Sequence, residues 1–194
     1  MSYSSSQTRN RILECAKEEF LTMGFQKANL RSIANQAKAT TGALYNHFKN
    51  KEVLFEALVE EPAQELLAQF KERHESLTEF PENDSLNGTD WMLDYIYDHF
   101  DAFRLIFCCS EGHQYSGFLD ELAAIEESAY KKHLPSSAHA GEPVDDFFIH
   151  VVCASGFREL YEVVSHNLSK EEAIHFMNKV KQFRMAGWKE ILGQ

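Results

Sequence analysis

Two pairs of side chains stand at spacings that suit a metal ion. Cys109 and His113 are four residues apart, and His150 and Cys153 three apart. On a helix each pair shares one face, as zinc or copper(I) would use. Cys108 and Cys109 are adjacent, and read either as small apolar helix residues or as part of a thiol sensor. With Cys15, the cysteines match no zinc ribbon and no CxxC redox motif. GxSxG, GxGxxG and HExxH are all missing, so no enzyme is expected; with nine histidines and four cysteines, pairs at such spacings arise easily by chance, so no metal or cofactor is expected either. A third set has a different chemistry. The stretch "KATTGALYNHF", residues 38–48, mixes hydroxyls, an amide, an imidazole and a cation with very small residues. Such groups hydrogen-bond to phosphates and base edges.

Almost every segment reads as helix, so the expected fold class is all-α. Ile12, Leu13, Ala16 and Phe20 recur at helical spacing in a first helix, Thr8–Met23, which Gly24 should end. Asn29 should cap a second helix with Leu30, Ile33, Ala34 and Ala37 inward. A short third helix, Thr41–Phe48, should point Leu44, Tyr45 and Phe48 inward, leaving Thr40, Thr41, Gly42, Ala43, Asn46 and His47 outside. A fourth helix follows the cap Asn50 and contains Pro62, which either kinks it or starts a new helix. Beyond a linker at residues 76–89, single helices are expected over Asp90–Ser110, Tyr115–Leu134 and Pro143–Asn167. A Ser169–Glu172 capping box should open the last, which ends near Leu192. The second and third helices form a helix-turn-helix, a unit whose second helix enters the DNA major groove.

The formal net charge of −11 would repel DNA if it were evenly spread. It is not. Residues 1–51 hold eight basic and three acidic side chains, a net +5, against 11 basic and 27 acidic in the rest, a net −16. A basic head on an acidic body can dock on phosphate with one face only. No apolar run approaches the ~20 residues of a membrane span. The start, "MSYSSSQTRNR", lacks a signal peptide's apolar core, so a cytoplasmic protein is expected.

Residues 12–55 resemble the N-terminal region of the TetR family of bacterial transcriptional repressors. The matching positions are Ile12, Ala16, Phe20, Gly24-Phe25, Ile33-Ala34, Ala37, Gly42, Leu44-Tyr45, Phe48, Lys51-Glu52 and Leu54. The resemblance implies a DNA-binding domain over residues 1–52 and a helical regulatory domain over residues 53–194. It implies a homodimeric, ligand-responsive repressor on a palindromic operator in double-stranded DNA. Thr41, Gly42, Ala43 and Asn46 would face the bases, with Thr40 beside them on the DNA-binding face. Asn29, Tyr45, His47 and Lys51 would touch phosphates. Lys38 stands where the family's turn carries glycine, so a left-handed residue is expected there, with its charge beside DNA.

The family dimerises through its last two helices and binds a small-molecule effector in the body. The apolar stripes of Pro143–Asn167 and of the last helix suit a four-helix interface. Trp91, Tyr95, His99, Phe103, Phe107, His113, Phe118 and Arg158 are the candidate effector-pocket residues. The alternative to a ligand-responsive regulator is a metal- or thiol-responsive helical sensor built on Cys108, Cys109 and the nearby histidines.

Overall fold

The computed structural model describes residues 5–77, 88–134 and 144–193. Nine α-helices and a short 3-10 turn make up the described chain, without a strand: α1 Ser5–Lys27, α2 Leu30–Gln36, α3 Thr41–His47, α4 Lys51–Glu75, α5 Gly88–Asp98, α6 Phe100–Cys109, the 3-10 turn Gln114–Gly117, α7 Phe118–His133, α8 Asp146–Ser165 and α9 Lys170–Leu192. None of these helices is long and apolar enough to cross a membrane. The chain divides into two compact units. One comprises Met1–Gln64 and Phe100–Phe118; the other comprises Glu65–His99 and Leu119–Gln194.

In the first unit the apolar stripe of α1 buries Ile12, Ala16 and Phe20 completely, and Ile33, Leu44, Leu54 and Phe55 of the same unit are likewise fully buried. At Gly24 the backbone turns to φ 72°, ψ 163°, which interrupts α1 before a last turn from Phe25 to Lys27. Only glycine takes such a conformation readily. The rings of Phe20 and Phe25 meet Phe55 edge to face, at 5.1 and 5.3 Å between centroids. α6 supplies Phe103, Leu105 and Ile106 to the same core. The following loop brings His113 between Phe25 and Phe55, 4.8 Å from each ring.

α4 runs unbroken through Pro62 from Lys51 to Glu75, so no new helix starts there. Its buried side is Leu54, Phe55, Val59, Ala63, Leu66 and Phe70, while Val53 is exposed. The single helix expected over Asp90–Ser110 is two. At the break the His99 N–H reaches both Tyr95 O (3.1 Å) and Ile96 O (3.2 Å), a tightened turn that ends α5. The expected linker at 76–89 and the loop before Pro143 fall mostly outside the described residues.

In the second unit Phe70 meets Phe157 edge to face at 5.7 Å. The Tyr97 hydroxyl donates to Leu168 O at 2.8 Å. α8 starts three residues later than expected, because Asp145 is its cap and accepts from Phe148 N at 2.8 Å. The Ser169–Glu172 capping box opens α9. Arg184 clips α9 to α8: its guanidinium donates to Glu159 Oε2 (3.1 Å), Val152 O (3.2 Å) and Ser155 Oγ (2.9 Å). It can lie there because residue 156 is glycine. A Cβ at that position would stand 3.2 Å from both terminal guanidinium nitrogens.

Candidate nucleic-acid interface

Three short-range devices hold the reading helix. The α2 cap Asn29 has extended backbone, and its Oδ1 accepts from Arg31 N at 2.8 Å. The Asn29 N–H donates to Glu19 Oε1 at 3.1 Å; Ser32 Oγ and Gln36 Nε2 donate to Glu19 Oε2 at 2.9 and 3.0 Å. One carboxylate of α1 thereby ties down the start and one side of α2, which no local pattern in the sequence signals. At the far end of α2, Lys38 adopts φ 49°. The Ala39 N–H bonds to Ala34 O (2.9 Å) and the Lys38 N–H to Asn35 O (3.0 Å). This is a Schellman cap with lysine at its left-handed position. Thr40 then caps α3, its Oγ1 accepting from Ala43 N at 3.0 Å.

With these ends set, α3 buries Leu44 and leans on Phe48. Thr40, Gly42, Tyr45 and Asn46 are exposed, and Thr41, Ala43 and His47 half-buried. The expected inward position of Tyr45 is corrected: its residue is 51% exposed. α3 is only two turns long, and the Leu44 and Phe48 positions already fill the side that packs on α1 and α2. Tyr45 lies about 100° round from Leu44 and carries its hydroxyl out beside Asn46. A methyl added at Gly42 would meet only Thr40 Oγ1, at 3.9 Å. The fold therefore does not need glycine at this position, and the open surface there admits another molecule closely.

Lys51 also has partners within the fold. Its ammonium donates to Gln26 O (3.0 Å) and Ala28 O (3.4 Å) and lies 4.7 Å from the Phe25 ring centroid. It closes the end of α1 against the start of α4, with one of its three donors left over.

The eight candidate pocket residues are shared between the two units. Trp91, Tyr95, His99 and Arg158 belong to the second unit, and Phe103, Phe107, His113 and Phe118 to the first. In the second unit Arg73 stacks on Trp91 at 4.5 Å and the Tyr95 hydroxyl donates to Glu65 at 2.9 Å. Arg158 pairs with Glu162 at 2.6 Å on the surface. In the first, Phe103, Phe107 and Phe118 pack on one another at 5.7–6.4 Å. His113 is buried, 3.8 Å from Glu56 Oε1. Burial lowers its pKa, against the opposing charges of Glu56 and Glu52.

Among the described residues no three His, Cys, Asp or Glu side chains come together as metal ligands. The expected pairs are engaged separately. His150 Nδ1 faces Glu127 Oε2 at 2.9 Å. Burial raises the pKa of Cys109 and of Cys153, the latter helped by Glu126, so neither is poised as a thiolate.

A family model described as "Bacterial regulatory proteins, tetR family" matches residues 12–58, from α1 into α4. The HTH-type transcriptional regulator UidR of Escherichia coli (strain K12) is 35% identical over 77 residues, 40% of this chain and 39% of that protein. TtgR of Pseudomonas putida, another HTH-type transcriptional regulator, is 39% identical over 56 residues, 29% of this chain and 27% of that one. The matched region thus spans about two fifths or less of these relatives. Solved structures extend the likeness of fold over nearly the whole chain. A transcriptional regulator from Aquifex aeolicus VF5 aligns with a TM-score of 0.61 at 22% identity, covering 91% of this chain and 98% of that one. Salmonella enterica GusR aligns with a TM-score of 0.57 at 21% identity, covering 96% of each. Residues 12–58 thus match the model of the TetR family of bacterial regulatory proteins, on a fold that solved transcriptional regulators share along most of the chain.

Proposed function

We propose that the protein is a DNA-binding transcriptional regulator, a ligand-responsive repressor that binds a palindromic operator as a homodimer. The observation that carries this is the surface of α3. A capped helix presents Thr40, Gly42, Tyr45 and Asn46 outward, with nothing of the fold standing over Gly42. Residues 1–52 would read DNA, and residues 53–194 would bind the effector and the second copy. Thr41 and Ala43 would face bases beside Gly42 and Asn46. Asn29, Lys38, Tyr45, His47 and the spare donor of Lys51 would hold phosphates. The exposed Phe147 and Val151 of α8 and Phe176 and Phe183 of α9 support a two-fold interface of four helices. The work is binding, not catalysis, and its place is the cytoplasm, where the DNA is. Two heads would enter successive major grooves, ~34–36 Å apart. A small molecule held in the helical body would release the DNA by binding better to a head spacing that misfits.

Repression is also the role named for some similar proteins: the NalD of Pseudomonas aeruginosa is a secondary repressor of an efflux pump, with a TM-score of 0.58 at 20% identity. The test is fluorescence anisotropy with a duplex from the promoter region of the protein's own gene, in rising salt. The expected result is dimer binding that weakens steeply with salt and exceeds binding to a scrambled duplex. Equal affinity for both duplexes would overturn the reading of an operator-specific regulator.

A further inference from the structure

Arg9 is exposed in the second turn of α1. Its guanidinium carbon lies 5.3 Å from the ring centroid of Phe48, the residue that caps the C-terminal end of α3. The ring holds a long, otherwise mobile side chain in one place by a cation–π contact. Two of the three acidic residues of α1 are engaged elsewhere. Glu14 is 3.3 Å from Lys17, and the two carboxylate oxygens of Glu19 accept from Ser32 of α2 and from its cap Asn29. A fixed guanidinium therefore stands at the end of the reading helix, next to the exposed Lys49.

α3 has seven residues, which makes it about 10 Å long at ~1.5 Å per residue. The major groove of B-DNA is ~12 Å wide. Groups that flank opposite ends of such a helix face the backbones of opposite strands. Lys38 and Thr40 flank the N-terminal end; Arg9 and Lys49 flank the C-terminal end. We propose that Arg9, seated on Phe48, binds a backbone phosphate on the strand at the C-terminal end of α3, as a sequence-independent anchor that sets the register of the reading helix. This rests on α3 being the DNA-reading helix.

The experiment compares the unsubstituted dimer with Arg9→Met, which keeps an apolar stem on Phe48 without the charge, and with Arg9→Lys. Each is titrated with the promoter duplex and with a scrambled duplex over a salt series. Arg9→Met should lower the slope of log K against log salt by about 0.9 for each phosphate that is no longer neutralised. Affinity should fall by the same factor on both duplexes, and Arg9→Lys should keep most of the slope. A fall in affinity with the slope unchanged would show that Arg9 only packs on Phe48, and would overturn the proposal. So would a loss confined to the promoter duplex, which would make Arg9 a reader of bases. If the unsubstituted protein shows no salt-dependent binding, the reading of α3 itself fails, and this proposal with it.

Discussion

Replacing Lys38 by glycine should stabilise the protein without strengthening its grip on DNA. The side chain sits at φ 49° in the cap that joins α2 to α3, where an L-residue with a Cβ is strained. Left-handed backbone costs such a residue ~1–2 kcal/mol. Glycine removes that strain but gives the unfolded chain more freedom, which takes back ~0.4–1 kcal/mol. The net gain is ~0.5–1 kcal/mol, or a rise of about 1–4 °C in Tm for a protein of this size. Lys38→Ala separates strain from charge. It removes the ammonium and keeps the strain, so its Tm should stay where it was. A second control is internal. Asn167 closes α8 in the same way, at φ 54°, with Leu168 N–H on Val163 O at 3.2 Å. Asparagine tolerates this conformation better than most residues, so Asn167→Gly should gain less than Lys38→Gly. The measurements are thermal unfolding without DNA and anisotropy with the promoter duplex. A fall in Tm for Lys38→Gly, or an equal rise for Lys38→Ala, would refute the argument from backbone strain. Tighter DNA binding by either variant would refute the placing of this cation beside phosphate.

Gly42→Ala should leave stability unchanged or raise it by up to ~1 kcal/mol, because alanine favours helix and the added methyl meets only Thr40 Oγ1 at 3.9 Å. The same variant should weaken promoter binding, since that methyl would lie between α3 and the bases; undiminished affinity would place the close approach elsewhere. Phe183 is 79% exposed, and a two-fold interface would bury it twice. At ~1.5–3 kcal/mol per buried ring, Phe183→Glu should weaken the dimer by about a hundredfold or more, seen as monomer in light scattering at micromolar concentration. A dimer as tight as that of the unsubstituted protein would rule this face out. Burial pushes the carboxyl of Glu126 up to about 7 from its ordinary 4.5, against the pull of Arg184 and of hydrogen bonds with Cys153 and Tyr130. The folded state thus holds a proton that the unfolded chain has released. Its stabilising contribution is full below about 4.5 and is lost as pH rises to about 7. Glu126→Gln should therefore raise Tm at pH 8 and change it little near pH 4.5; an equal shift at both would mean that this carboxyl does not titrate between them.

Much of the head can be read directly from the chain. The left-handed Lys38 is expected only through the family resemblance, whereas the caps Asn29 and Asn50, the stop at Gly24 and, further on, the Ser169–Glu172 box each depend on residues within five positions of one another. Local sequence suffices there, because caps and i, i+4 contacts form within one or two helical turns. The apolar stripe of α1 is legible for the same reason. Side-chain direction on a two-turn helix is not. Tyr45 has the composition of a core residue, and only the packing of Leu44 and Phe48 turns it outward. Nor does the pattern show that Lys51 spends its ammonium on carbonyls 23 and 25 residues away, or that Glu19 organises α2. The aromatic residues between Trp91 and Phe118 look like one set along the chain. The turn at His99 divides them, and α6 gives its rings to the core around α1. Local patterns of residues therefore say which segments are helices, where most of them start, and that the basic charge lies at the N-terminal end. Which side chains of those helices reach solvent, and which distant residues share a core, emerges only once the helices pack, because those outcomes depend on contacts between segments far apart in the chain.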